Sequence, residues 1–239
     1  MAYVYLKKKP AKKSKPAAKN YLSFIFLVIG ILSFLFVLYP LTYFQWGYSR
    51  RFQPILSPLS VKFYNNEEGI MAEAVDFTQL SNWFVQNNGQ TAAYSQELLS
   101  ETDHRSYLLS IPKLGIKDVE VTIGGKDLKK SIIHYPQTAL PGQRGNAVIF
   151  GHSVLPQFFN PKSYLTVFST LFKLIPGDQI IVYFDRVHYT YLVEDVFEVK
   201  ATDFSILEQR YDGRYLSLVT CSPPGTYLRR LVVRARIVE

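Results

Sequence analysis

The 239-residue chain is predicted to form an all-β domain, an antiparallel barrel or sandwich with short helical insertions, preceded by one N-terminal transmembrane helix. Three observations point there. From Tyr107 onward, short runs rich in β-branched and aromatic residues are broken about every 8 to 15 residues by Gly, Pro or Asp. The stretch YLSFIFLVIGILSFLFVLY, Tyr21 to Tyr39, carries no charge. A hydrophobic content of 48% with 15% aromatics supports one sizeable core plus a smaller attachment, and a second large domain does not fit.

Residues 1–19 hold seven lysines (Lys7, Lys8, Lys9, Lys12, Lys13, Lys15 and Lys19) and no acid. Removing those seven from the 27 basic residues leaves 20 against 19 acids, so the body is nearly neutral despite a net charge of +8. A general phosphate-binding surface, and with it a nucleic-acid partner, is not implied. Residues 20–46 then read as a membrane anchor, because at about 1.5 Å rise per residue roughly 20 residues cross a bilayer core of about 30 Å. A secretory signal has a shorter apolar centre, about 7–15 residues, ending at a small-x-small site. Here the run is longer and leads into PLTYFQWGYSRR. The positive-inside rule keeps the lysine tail cytoplasmic, sets Tyr39, Tyr43 and Trp46 at the outer interface and exports the remainder. The expected localisation is the cell membrane, single-pass, with the main domain extracellular.

Residues 47–105 read as a stalk or lid, with Pro54, Pro58 and the polar patches YNNEEG and QNNGQT. Within them DFTQLSNWFVQ spaces Phe77, Leu80 and Phe84 for a short helix after the capping residue Asp76, placed either against the following domain or over its groove. Residues 106–239 form the main domain. Strands are expected near YLLSI, VEVTI, NAVIFG, QIIVYFD, HYTYLVEDVFEV, RYLSLVT and RRLVVRARIV, seven or eight in all, separated by KLGIKD, IGGKD, LPGQRGN, IPGD and YDGR.

Exported proteins commonly pair their cysteines, yet Cys221 is the only one here. It is either a buried small hydrophobe or a reactive thiol. A thiol attacks as its thiolate and so needs a basic or cationic neighbour. Of the four histidines, His152 is the most suggestive, since NAVIFGHS ends at its imidazole as RYLSLVT runs into Cys221, and two strand ends at one barrel rim would meet. His188, beside a turn, and His104, in the stalk, read as solvated. In the last strand Arg230, Val232, Arg234 and Arg236 alternate with Leu231, Val233, Ala235 and Ile237. Arg230 falls on the polar face and Arg229 shares the parity of the core face, although a row of arginines ordinarily means a solvated edge.

These residues resemble the sortases, membrane-anchored cysteine transpeptidases of mainly Gram-positive bacteria. LSLVTC, Leu216 to Cys221, is similar to their TLxTC signature, with Ser217 at the first Thr. IPKLGIKDVEV, HYPQTALPGQRGNAVIFGH and FSTLFKLIPGD resemble the segments around the family's histidine, and CSPPGTYLRRLVVRA resembles the segment that ends in its arginine. The resemblance covers Tyr107 to Glu239. It implies a closed antiparallel barrel of about eight strands, with Cys221 as nucleophile, His152 as the histidine and Arg230 as the arginine, Arg229 competing for that last role. His134 is read as structural. The subclass stays open: Pro223, Gly225 and the spacing to Arg230 look like pilin-type (class C) sortases, while an N-terminal anchor alone is more like the housekeeping type.

The implied reaction is attack of the Cys221 thiolate on the Thr–Gly carbonyl of an LPxTG-like sorting signal, giving a thioacyl enzyme that an amine resolves. His152 would act as general acid and base, and Arg230 would hold the carbonyl or oxyanion. Thr220 and Ser153 are candidate substrate contacts, and Leu140 and Pro141 of TALPG, like VLPQFF, candidate lining for the Leu-Pro part of the signal. Expected partners are a surface or pilin protein bearing the signal, an amine acceptor (a peptidoglycan precursor or pilin lysine) and the membrane. No cofactor is expected and, without a concentrated carboxylate set, no calcium site. Two rival readings are a cysteine endopeptidase that uses water and a non-catalytic membrane-tethered barrel serving as a binding scaffold.

Overall fold

The computed structural model describes residues 18–52, 76–84 and 106–238. The chain divides into two compact units, Met1–Ser49 and Arg50–Glu239. The lysine-rich tail before residue 18, His104 and most of the segment read as a stalk lie outside the described residues.

Helix α1, Ala18–Arg51, is 34 residues long. Apart from Gly30 and Ser33, its side chains between Phe24 and Tyr39 are apolar, and they are exposed all round, so it has no polar stripe to set against a soluble core. Among the described residues no helix is long and apolar enough to cross a membrane.

The second unit is a closed barrel of eight strands among the described residues: β1 Ser106–Ile111, β2 Ile116–Ile123, β3 Ile132–His134, β4 Gly145–Phe150, β5 Gln179–Phe184, β6 Val187–Lys200, β7 Arg214–Ser222 and β8 Arg229–Ile237. They are ordered β1-β2-β3-β4-β7-β8-β6-β5, with β5 pairing back to β1. Seven of the eight coincide with the strands expected from alternation. The eighth, β3, has three residues, all buried, and is too short to show a period.

The expectation of a wholly antiparallel barrel is corrected: β2–β3 and β4–β7 pair in parallel. Hairpin neighbours such as β5 and β6 must run antiparallel. Between β4 and β7 the chain is long enough to contain β5 and β6 and to return to the end from which β4 began, which a parallel pair requires.

The same register buries both faces of the central strands. Ile149, Leu218 and Val233 are aligned across β4, β7 and β8 on one face, and Phe150, Val219 and Val232 on the other. The second face is covered by Leu80 and Trp83, and by Ile206 and Leu207 of the 3-10 turn Phe204–Leu207. The expected short helix over 76–86 is a single 3-10 turn, Leu80–Phe84. Asp76 Oδ1 accepts from the Thr78 amide (2.9 Å), and Leu80 N–H donates to the Lys126 carbonyl (2.8 Å) while Leu128 N–H donates to that of Thr78 (2.9 Å). Phe77 and Leu80 both pack into the covering cluster; the Phe84 side chain lies outside the described residues.

Candidate active site

The parallel pairing of β4 and β7 sets the site. Phe150 and Val219 are the last partners in register, and two residues further along each strand come His152 and Cys221. Cys221, still within β7, continues the face of Val219, and His152 stands just past the end of β4 at the same strand ends. Three hydrogen bonds fasten these strand ends: Gly151 N–H to the Val219 carbonyl (3.1 Å), Thr220 Oγ1 to the Gly151 carbonyl (2.8 Å) and Ser153 Oγ to the Cys221 carbonyl (3.1 Å). A side chain at Gly151 would strike the Phe168 ring, so the absence of a Cβ there admits that ring beside the strand end.

Antiparallel β7–β8 pairs Cys221 directly with Arg230. Arg230 Nη1 lies 3.8 Å from Cys221 Sγ and donates to the carbonyls of Tyr227 (3.3 Å) and Arg229 (3.2 Å), which fix its direction. Its guanidinium also stacks on Trp83, with Cζ 4.6 Å from the ring centre. Arg229 points elsewhere, to Glu198 at 3.2 Å. The alternation that favoured Arg230 therefore corresponds to two separate environments.

The three groups are closed off from solvent. Cys221 is fully buried, His152 is 5% exposed and Arg230 3%. Burial pushes the Cys221 thiol up to about 11, against the pull of the Arg230 charge. Burial lowers the His152 imidazole and the Arg230 guanidinium; Asp76 partly offsets the first, and the Cys221 charge partly offsets the second. In this conformation thiol and imidazole are both neutral near pH 7, and His152 Nδ1 has no hydrogen-bond partner among the described residues.

The covering residues are Trp83 and Phe77, which stacks on Tyr227 with centroids 4.1 Å apart. Sequence reasoning identified their segment as a candidate cover but assigned Trp83 no role, since a lone Trp in a polar stretch has no period to reveal its contact. On the other side of the site, Leu155 of VLPQFF meets the position a Gly225 side chain would take, which brings the loop after His152 against the β7–β8 turn.

The other candidates fall in different places. Thr220 is 1% exposed and on the opposite strand face from Cys221, its hydroxyl engaged with Gly151. Ser153 is 1% exposed and holds the Cys221 backbone. Leu140 and Pro141 precede β4 while His152 follows it, so about 20 Å of strand separates them from the thiol, and the fold does not bring them to it. His134 is buried, with Nδ1 2.7 Å from the Tyr107 hydroxyl and Nε2 3.2 Å from Thr138 Oγ1. His188 is exposed and packs on Tyr183.

The sequence model of the sortase domain matches residues 109–238, more than half of the chain. Sortase D of Bacillus subtilis (strain 168) is 29% identical over 141 residues, 58% of this chain and 65% of that protein. Sortase SrtE1 of Streptomyces coelicolor is 29% identical over 151 residues, 55% of this chain and 40% of that protein. The chain thus spans less than two thirds of the length of either relative. Among solved structures, the pilus-related sortase C of Group B Streptococcus aligns with a TM-score of 0.50 at 29% identity, over 62% of this chain and 73% of that one. A lid mutant of sortase A from Corynebacterium diphtheriae aligns with a TM-score of 0.50 at 26% identity, over 66% and 83%.

Proposed function

The chain belongs to the sortase family, and we propose that it is a membrane-anchored cysteine transpeptidase that cleaves an LPxTG-like sorting signal and passes the acyl group to an amine. The observation that carries this reading is the pairing of Cys221 with Arg230 across β7 and β8, with the guanidinium directed at the sulfur and His152 just past the adjoining end of β4. In the forward step the Cys221 proton passes to His152, the thiolate adds to the Thr carbonyl carbon and Arg230 N–H groups hold the oxyanion. The C–N bond then breaks as protonated His152 gives its proton to the departing amine, leaving a thioester on Cys221. In the second step an incoming amine adds to the thioester and its proton goes to His152. The thiolate leaves, and the product is a new amide.

The acceptor is a peptidoglycan precursor or a pilin lysine; similarity to a pilus-related sortase favours the second. Residues 76–84 act as a lid over the groove, because a fully buried thiol held at about 11 cannot meet a peptide until Trp83 and Phe77 move. Helix α1 anchors the protein, with the lysine tail cytoplasmic and residues 106–239 outside. This rests on the uncharged stretch Tyr21 to Tyr39 and the seven lysines before it.

The test incubates the full-length chain in detergent with an LPxTG peptide library, with and without amines, and reads intact mass. A thioacyl adduct on Cys221 that an amine converts to a new amide is expected, with none in Cys221→Ala or His152→Ala and a strong reduction in Arg230→Lys, whose ammonium lacks the planar fork. Transfer to water alone would replace this reading with an endopeptidase. Near-normal processing by Cys221→Ala would leave the scaffold.

A further inference from the structure

We propose that Glu198 is a positioning residue for the Cys221–Arg230 pair, acting through Ser222 and Arg229; the claim rests on the transfer reaction proposed above. Besides Arg230, Glu198 is the one buried Asp, Glu, Lys or Arg among the described residues, and each is 3% exposed. It stands on β6, which pairs with β8 as β8 pairs with β7. One carboxylate oxygen, Oε1, accepts from the Ser222 hydroxyl, and the other, Oε2, lies 3.2 Å from Arg229 Nη1. Ser222 and Arg229 are register partners on β7–β8, and the adjacent pair in the same register is Cys221 and Arg230. A single carboxylate thus grips, from the opposite strand face, the chain neighbours of both the nucleophile and its cation.

Stability is a weak reason for such a group. Replacing a buried ion pair with apolar side chains is often neutral or favourable, and Arg229 is 40% exposed, so solvent screens its attraction. Geometry gives a stronger reason. The Ser222–Arg229 pair is the last one in register before the turn of residues 223–228, where strand ends fray and where Leu228 stands 74% exposed. The contact from Arg230 Nη1 to the sulfur is already 3.8 Å, so a displacement of about 1 Å at this rung would remove it. Glu198 prevents that displacement.

The test uses the full-length chain and compares wild type, Glu198→Gln, Ser222→Ala and Ser222→Thr. It measures kcat and KM for peptide transfer per titrated thiol, the pH dependence of Cys221 alkylation by iodoacetamide, and melting temperature. Ser222→Ala is expected to lower kcat on the order of tenfold to a hundredfold with KM little changed. Its alkylation midpoint should rise by about half a pH unit or more as the hold of Arg230 on the thiolate slackens. Ser222→Thr, which keeps the hydroxyl, should recover most of the loss, and Glu198→Gln should lower kcat as Ser222→Ala does. A fall in melting temperature alone, with kcat per titrated thiol and the alkylation midpoint unchanged, would overturn the proposal. Should Glu198→Gln fail to fold, the two Ser222 variants decide it. If wild type forms no thioacyl adduct, the transfer reading has failed, and the alkylation midpoint of Ser222→Ala alone then decides the role of Glu198.

Discussion

At the residue scale, burial sets the protonation chemistry. His134 sits in the barrel wall between Tyr107 and Thr138, where loss of solvent lowers its pKa from 6.5 to about 4, partly offset by Thr138. The unfolded chain therefore binds the extra proton from about pH 6.5 downward, and the folded chain only near 4. Stability should fall as pH drops from about 6.5 to about 4 and lose nothing further from this group below that, on the order of 3 kcal/mol over the window. Denaturant titrations of wild type and His134→Gln would check it, since the variant should flatten this slope; an equal slope would assign the effect to another group. Parity in the last strand favoured Arg230 over Arg229 but left Arg229 as a competitor. It could not show that Arg229 meets Glu198, because that contact crosses two strands that lie far apart in the chain.

At the element scale, the covering segment meets β7 and β8 through Trp83. Its ring lies on Arg230 and in the cluster around Cys221, while Phe77 stacks on Tyr227. A desolvated cation–π contact contributes about 1–2 kcal/mol, so Trp83→Ala should speed alkylation of Cys221 by roughly tenfold. It should also draw the pH profile for acylation inward. The limb set by the thiol should move down from about 11 and the limb set by His152 should move up, because each regains water. An unchanged alkylation rate would mean that Trp83 is not what keeps the thiol covered. This segment was only half legible in the sequence. Asp76 and the spacing of apolar residues indicated a short helical turn, but nothing local states what a turn covers, since the covered surface comes from β7 and β8 more than 130 residues later.

At the scale of the whole molecule, the chain carries a helix whose exposed side chains are almost all apolar and a barrel with ion pairs on its surface. If α1 anchors the protein, alkaline carbonate should leave it in the membrane fraction, and protease added outside intact cells should reach residues 106–239. Release by carbonate would remove the anchor from the account.

Sequence alone determined that there is one β domain and where seven of its eight strands lie, and it singled out the lone thiol, a strand-end histidine and an arginine in the last strand, which only the resemblance to a family grouped as one site. Alternation and residue type are local quantities, and the chemistry of a nucleophile restricts which side chains serve it. The tertiary structure decided strand direction, the three-residue β3, the distance of Leu140 and Pro141 from the thiol, and the contacts of Glu198 with Ser222 and Arg229. Those depend on which strands become neighbours when the barrel closes, a long-range pairing that no short window of residues encodes.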